Sequence, residues 1–249
     1  MDNGDIKICL NQGATSRFTG NSLAAIDYSW SCGCTPKVEV QMTKDKKPVL
    51  AENDSIKDIC QDSPDLNISE STYKQLMKHP LCTGDGIKHS IPLVESIFEQ
   101  MRVGKARTIM LDVKNDSAYG QIFDLVKQYD IARQVQFITP MVKKARAIKK
   151  VLFESRVFLS VRKFSKQTLN DIKSPDIDSI LYEPRNGLTD EAMIYPDELG
   201  ITHVCDIAKK AGKKVGLVML DEKIDPNVIK KLKKVGVSFF VVSNPLKDH

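Results

Sequence analysis

No stretch of the 249-residue chain approaches the ~20 consecutive apolar residues that span a bilayer. The opening residues, Met1-Asp2-Asn3-Gly4-Asp5, hold neither the basic segment nor the apolar run of a secretory leader. Both absences lead to the expectation of a soluble, cytoplasmic protein, with a leader removed beforehand left open. Cysteine and histidine are sparse: six Cys (Cys9, Cys32, Cys34, Cys60, Cys82 and Cys205) and four His, with no CxxC pair to set up zinc spacing. Cys32-Gly33-Cys34 is too tight for an unstrained bridge between its own two thiols, so idle or buried thiols are expected. Aromatic residues make up 6% of the chain, and few of them interleave with its lysines, so the stacking platform of a nucleic-acid binder is missing. Neither charge dominates: 37 Lys and Arg face 32 Asp and Glu, a net +5 that names no partner. The turn Asn11-Gln12-Gly13-Ala14-Thr15 has one glycine, which argues against a dinucleotide-binding fingerprint.

What is present is an alternation. Eight β-branched or apolar runs read as strands: Ile6–Leu10, Lys37–Met42, Thr108–Val113, Gln134–Thr139, Val157–Val161, Ser179–Tyr182, Lys214–Leu220 and Ser238–Ser243. Between them lie amphipathic stretches, including Ser22–Ser31, Leu93–Arg102, Ser117–Tyr129, Met141–Phe153, Thr202–Ala211 and Pro226–Val235. Eight strands joined by helical crossovers predict a (β/α)8 barrel over the whole chain, 1–249, as a single domain. Active sites in that fold lie at the C-terminal ends of the strands, which directs attention to Asn11 onward, Lys37 to Glu39, Glu52 onward, Asp112 to Lys114, Thr139, Arg162, Glu183 and Asp221. The stretch at about 54–90, rich in Asp, Ser, Pro and Gly and with one expected helix over Glu70–Met77, is long for a plain connection. It reads as an insertion over the barrel mouth.

Several segments carry a resemblance. Val40-Gln41-Met42-Thr43-Lys44-Asp45-Lys46-Lys47-Pro48-Val49-Leu50 is similar to the second strand and following hairpin of the glycerophosphodiester phosphodiesterases, which are (β/α)8 barrels. Asn11-Gln12-Gly13 falls where that family has His-Arg-Gly, and Thr19-Gly20-Asn21-Ser22 where it has Pro-Glu-Asn-Thr. Ile91-Pro92-Leu93, Leu111-Asp112-Val113-Lys114 and the stretch from Gly236-Val237-Ser238 to Ser243-Asn244-Pro245 resemble further family segments.

The resemblance implies phosphodiester hydrolysis in lipid metabolism, performed by two histidines as general acid and base beside a divalent metal on three carboxylates. Here the two histidine positions are Asn11 and Glu52, and the Asp beside the second is Asn53. The paired Glu and Asp ligands align with Lys37 and Glu39, the third ligand with Asp112, the family arginine with Gln12, and the family lysine with Lys114. His79, His89, His203 and His249 occupy none of the family's histidine positions.

An amide such as Asn11 takes no part in proton transfer near neutral pH, so half of the acid–base pair is gone. Lys37 brings a positive charge to the place of the cation, and is expected to substitute for the metal by bridging Glu39 and Asp112 with no ion bound. The expectation is a pseudoenzyme that binds a phosphorylated or anionic ligand through Gln12, Lys37 and Lys114, or a protein partner. The alternative is a metal-dependent phosphoric diester hydrolase with a rebuilt Glu39, Glu52 and Asp112 site for Mg²⁺ or Ca²⁺, which as hard cations need only oxygen ligands and water. Gln12 and Asn21 could hydrogen-bond an oxyanion or serve as turn and cap residues. The lysine-rich helices around Lys143–Lys150, Lys209–Lys214 and Lys230–Lys234 read as the solvated outer ring, with an anionic membrane surface as a further possible contact.

Overall fold

The computed structural model describes residues 7–15, 18–59, 63–80, 89–163, 165–184, 200–220 and 226–245. Eight parallel strands alternate with helices, and a ninth, short strand is added by a hairpin. In chain order the strands are β1 (Lys7–Asn11), β2 (Thr35–Met42), β3 (Pro48–Leu50), β4 (Ile109–Val113), β5 (Val135–Thr139), β6 (Arg156–Val161), β7 (Ser179–Tyr182), β8 (Lys214–Met219) and β9 (Val237–Val242). Along the sheet they run β1-β9-β8-β7-β6-β5-β4-β2-β3, and β1 also pairs with β2. With β3 set aside as the antiparallel partner of β2, this is the strand order of a (β/α)8 barrel. Among the described residues no helix is long and apolar enough to cross a membrane.

The chain divides into two compact units, one of residues 10–137 and one of residues 1–9 with 138–249. The first holds α1 (Leu23–Ser31), α2 (Ile56–Ile59), α3 (Tyr73–Leu76), α4 (Val94–Val103) and α5 (Tyr119–Tyr129). Helix α1 starts at Ser22, whose hydroxyl accepts the Ala25 N–H as an N-cap. Gly13 sits at φ +81°, and a Cβ there would lie 2.8 Å from the Ala25 carbonyl carbon, so only glycine lets the β1 turn approach α1 this closely. Ser29 of α1 donates its hydroxyl to the Gly13 carbonyl, which fastens the same contact.

Strand β2 is buried over almost its whole length, yet its sequence alternates. Val38, Val40 and Met42 are apolar while Lys37, Glu39 and Gln41 are polar, and all six are shielded from solvent. Side chains two residues apart share a face, so one side of β2 is an apolar surface and the other a column of buried polar groups. The parallel register sets Glu39 opposite Asp112 and Lys37 opposite Met110, which extends the polar column across β4.

The stretch after β3 is a packed substructure. Ile56, Ile68 and Leu76 join Val49, Ala51 and Ile91 in one buried cluster. The helix expected over Glu70–Met77 is broken in two: a 3₁₀ turn at Ile68–Glu70 and a four-residue helix at Tyr73–Leu76. The cause is local. Thr72 and Gln75 form a reciprocal capping box, which starts a new helix in the middle of the expected one.

The second unit contains β6 to β9 with α6 (Val142–Val151), α7 (Lys166–Ile172), α8 (Gly200–Lys210) and α9 (Pro226–Lys234). Helix α7 was not anticipated from periodicity; Ser165, whose hydroxyl accepts the Thr168 N–H, is the start signal that marks it. Phe158 and Phe239 meet edge to face at 5.5 Å in the core of this unit. Asp221 and His249 lie outside the described residues, as do Cys60 and Cys82. Among the described residues Cys9, Cys32, Cys34 and Cys205 form no disulfide. Burial, reinforced by neighbouring Cys32, pushes the Cys34 thiol up to about 11.

Candidate functional site

The polar column of β2 and β4 meets the turn after β1 and the segment after β3, all within the 10–137 unit. The turn is conformationally unusual: Gln12, Gly13 and Ala14 all have positive φ (51°, 81° and 103°), as does Asn21 at 59°. Non-glycine residues in the left-handed region are uncommon and persist where the surroundings over-determine them. At Asn21 the surroundings are evident. Its backbone N–H donates to the Gln12 carbonyl at 2.8 Å, and its side-chain amide clamps Glu39 on two sides. The Asn21 Nδ2 donates to Glu39 Oε2 at 3.1 Å, and Asn21 Oδ1 accepts the Glu39 backbone N–H at 3.1 Å. The Asn21 side chain thus binds a carboxylate of the protein itself.

Lys37 completes the arrangement. Its Nζ lies 2.7 Å from Glu39 Oε1 and donates at 3.3 Å to Asn11 Oδ1. The Lys37 and Glu39 side chains retain 9% and 3% of their exposure, so this ion pair is desolvated. At an effective dielectric near 20, its attraction is about 6 kcal/mol before desolvation, which removes several kcal/mol per ion. The hydrogen bond from Asn21 Nδ2 makes such a pair tolerable, because it occupies the remaining carboxylate oxygen.

The other two carboxylates have partners of their own. Asp112 Oδ2 accepts from Lys114 Nζ at 2.7 Å, and Glu52 Oε2 accepts from Gln12 Nε2 at 2.7 Å. Gln41 donates to the Glu52 carbonyl, and the Lys114 backbone N–H donates to the Val40 carbonyl, so both segments are tied to β2. Lys114, two residues after Asp112 and just past the end of β4, reaches that carboxylate directly.

Tyr119, at the start of α5 (Tyr119–Tyr129), was not foreseen as part of this region. Burial, followed by the negative charges of Asp116 and Asp112, raises its phenol above the ordinary value, so it stays a neutral hydroxyl. Its only sequence signal is its position a few residues after the Asp112 strand. Thr139 ends β5 as a buried residue whose hydroxyl accepts the Met141 N–H. Arg162, mostly exposed, faces Glu183 at 3.8 Å in the other unit.

The three expected ligand contacts therefore differ in access. Lys37 is buried, Gln12 is half-buried on Glu52, and Lys114 keeps 35% of its side-chain exposure. Of the three, Gln12 lines a cavity of about 150 Å³ whose walls also include Thr19, Asn21, Glu52 and Asn53. That is well below the ~300–1,000 Å³ of an ordinary small-molecule pocket.

The donor set does not fit the divalent metal that the family resemblance implies. An ammonium occupies Glu39 Oε1, an amide occupies its Oε2, and Asp112 and Glu52 each accept at one oxygen from another side chain. Among the described residues no group of three His, Cys, Asp or Glu side chains is arranged to hold a metal ion. Glu39, Glu52 and Asp112 are thus not gathered into the three-carboxylate set of the alternative reading.

Neither a family model nor any curated protein matches the sequence. Solved structures do match the fold, at low identity. A glycerophosphoryl diester phosphodiesterase from Parabacteroides distasonis is 17% identical with a TM-score of 0.75, over 98% of this chain and 85% of that one. A glycerophosphodiester phosphodiesterase from Thermotoga maritima is 14% identical with a TM-score of 0.74, over 97% and 96%. A phosphodiesterase from Oleispira antarctica, in complex with its product sn-glycerol-3-phosphate, is 15% identical with a TM-score of 0.74, over 96% and 93%. The chain has the fold of the glycerophosphodiester phosphodiesterases along nearly its full length.

Proposed function

We propose that this protein is a glycerophosphodiester phosphodiesterase-like pseudoenzyme, one that binds a phosphorylated, anionic ligand without turning it over. The observation that carries this reading is the buried Lys37–Glu39 pair, 2.7 Å apart, with Asn11 on the same ammonium. A lysine tethered to the chain neutralises Glu39 permanently, so the carboxylate is not free to serve as a base or as a ligand. Cleavage of a phosphodiester needs a proton acceptor for the attacking oxygen and a proton donor for the leaving alkoxide. Asn11 supplies neither, and the Glu52 carboxylate is engaged by the Gln12 amide. Loss of such acid–base help is worth ~10²–10⁴-fold in rate.

Binding would rest chiefly on Lys114, whose ammonium is the most accessible of the three expected contacts and whose resting partner, Asp112, it can leave for a phosphate. Gln12 would contribute an amide N–H if its bond to Glu52 opens. sn-Glycerol-3-phosphate, the product held by the Oleispira antarctica phosphodiesterase, is the natural first probe.

The test is hydrolysis of glycerophosphodiesters and of a generic phosphodiester by the pure protein with Mg²⁺, Ca²⁺, Mn²⁺ or EDTA, beside an E39A/D112A variant. The expected result is no turnover above the variant, together with sn-glycerol-3-phosphate binding that weakens at least about tenfold in K114A. Metal-dependent turnover that disappears in E39A/D112A would replace this reading with that of a metal-dependent phosphoric diester hydrolase.

A further inference from the structure

A second polar feature lies in the other unit and shares no residue with the network around Glu39. Helices α7 and α8 face each other across an open groove of about 750 Å³. The walls follow from helical period. Along α7 and its C-cap, the lining residues Lys166, Leu169, Asn170 and Lys173 stand at i, i+3, i+4 and i+7, one continuous stripe. Along α8 and the residue that follows it, Ile207, Lys210 and Ala211 stand at i, i+3 and i+4, again one stripe. Leu169, Ile207 and Ala211 give the groove an apolar floor, and lysines rise from both sides of it.

The groove is preformed. The loop after α7 that closes one end is held by Lys213, whose ammonium donates to the Ser174 carbonyl at 2.8 Å and also to the Ile177 carbonyl. Two aspartates of that loop are already engaged: Asp176 with Arg146 at 3.1 Å and Asp178 with Lys149 at 2.7 Å. Asp171 accepts from Gln167 at 2.8 Å. Among the described residues no acidic side chain lines the groove, and Lys166, Lys173 and Lys210 have no carboxylate partner there. Three exposed ammonium groups around an apolar floor thus lack counter-charges of their own.

We propose that the α7–α8 groove is a docking site for an acidic amphipathic helix of a protein partner. The spacing of charge favours a segment over a single headgroup. Lys166 and Lys173 are seven residues apart, ~10 Å along the helix axis, with Leu169 between them. A single phosphate is recognised by cations that converge on one point. Here the cations are spread along a line with an apolar centre, the pattern that a helix with carboxylates at i and i+7 and leucines at i+3 and i+4 complements. Apolar contact with the floor supplies affinity, and the lysine rim supplies direction and rate.

The probe is a fluorescently labelled acidic peptide of about 15 residues, long enough to hold a helix, with leucines on one face and glutamates flanking them. Its binding is read by anisotropy on the full chain, beside a scrambled peptide of the same composition and phosphatidylglycerol vesicles. The expected result is saturable binding that the scrambled peptide does not reproduce. Binding should weaken at least about tenfold in K166E/K173E and in K210E, and fall with added salt. The control K230E/K231E changes the net charge as much as K166E/K173E does, on exposed residues of α9, and is expected to leave binding unchanged. Thermal melting of each variant confirms that it folds. Equal binding of the scrambled peptide, equal loss in K230E/K231E, or no peptide binding at all would overturn the proposal; binding of the vesicles alone would give the lysines to a membrane surface instead.

Discussion

The lysines of the β2–β4 network and those of the α7–α8 groove are the same side chain in opposite circumstances. Lys37 is desolvated, fixed by Glu39 and Asn11, and contributes its charge to the interior of its own unit. Lys166, Lys173 and Lys210 stand in solvent with no carboxylate to meet them among the described residues. Their charge is available to something else. The contrast shows that a positive residue inside a polar network is no more a ligand contact than one on an outer helix, until its neighbours are known. Lys114 falls between these extremes: it is paired with Asp112 but partly exposed, and can exchange that partner.

Breaking the contrast at its strongest point is expected to give the largest effect. Lys37→Met leaves Glu39 buried without a counter-charge and should cost about 3–5 kcal/mol of stability in chemical denaturation. The double variant K37M/E39L should recover most of that loss, because an apolar pair needs no partner. A single-variant loss below about 1 kcal/mol would mean that Glu39 is not held by this lysine.

Next in size is Asn21→Ala, which removes two hydrogen bonds to Glu39 while keeping a Cβ at φ +59°; about 2–3 kcal/mol is expected by denaturant titration. Asn21→Gly keeps the hydrogen-bond loss but relieves the backbone, so it should be about 1 kcal/mol milder than the alanine variant. Lys114→Ala breaks a partly exposed pair and should change stability by less than about 1 kcal/mol, an effect that shrinks in high salt. At the far end, Lys166→Ala and Lys210→Ala are expected to shift stability by no more than about 0.5 kcal/mol. If either groove lysine proved as costly as Lys37, it would have a structural partner after all and the distinction between the two regions would fail.

The parts of the fold that the sequence made legible are those in which local pattern and tertiary role agree. The strands alternate or run apolar, the crossover helices keep their 3.6-residue period, and both signals survive into the structure with shifts of a residue or two. Where they failed, the determinant was a short polar signal overriding a broad apolar one. Thr72 and Gln75 split one expected helix, and Ser165 started another that periodicity alone had passed over.

The candidate site was legible as a set of residues but not as a set of partners. The resemblance drew attention to Asn11 and Glu52, and side-chain parity along β2 puts Lys37 and Glu39 on one face. Which carboxylate each cation meets depends on the separation of strands and turns that are distant in the chain. Asn21 reaches Glu39 across 18 positions, and Gln12 reaches Glu52 across 40. The groove followed the same division. Its two stripes are written in the order of residues along α7 and α8, whereas their facing each other, and the engagement of the nearby aspartates elsewhere, came from packing. By itself, then, the sequence determined the barrel's order of elements and which polar residues share a face of β2, because period and residue chemistry are local properties. Only the tertiary structure decided which charges are neutralised and which remain open to a partner, because pairing depends on distances that no local pattern encodes.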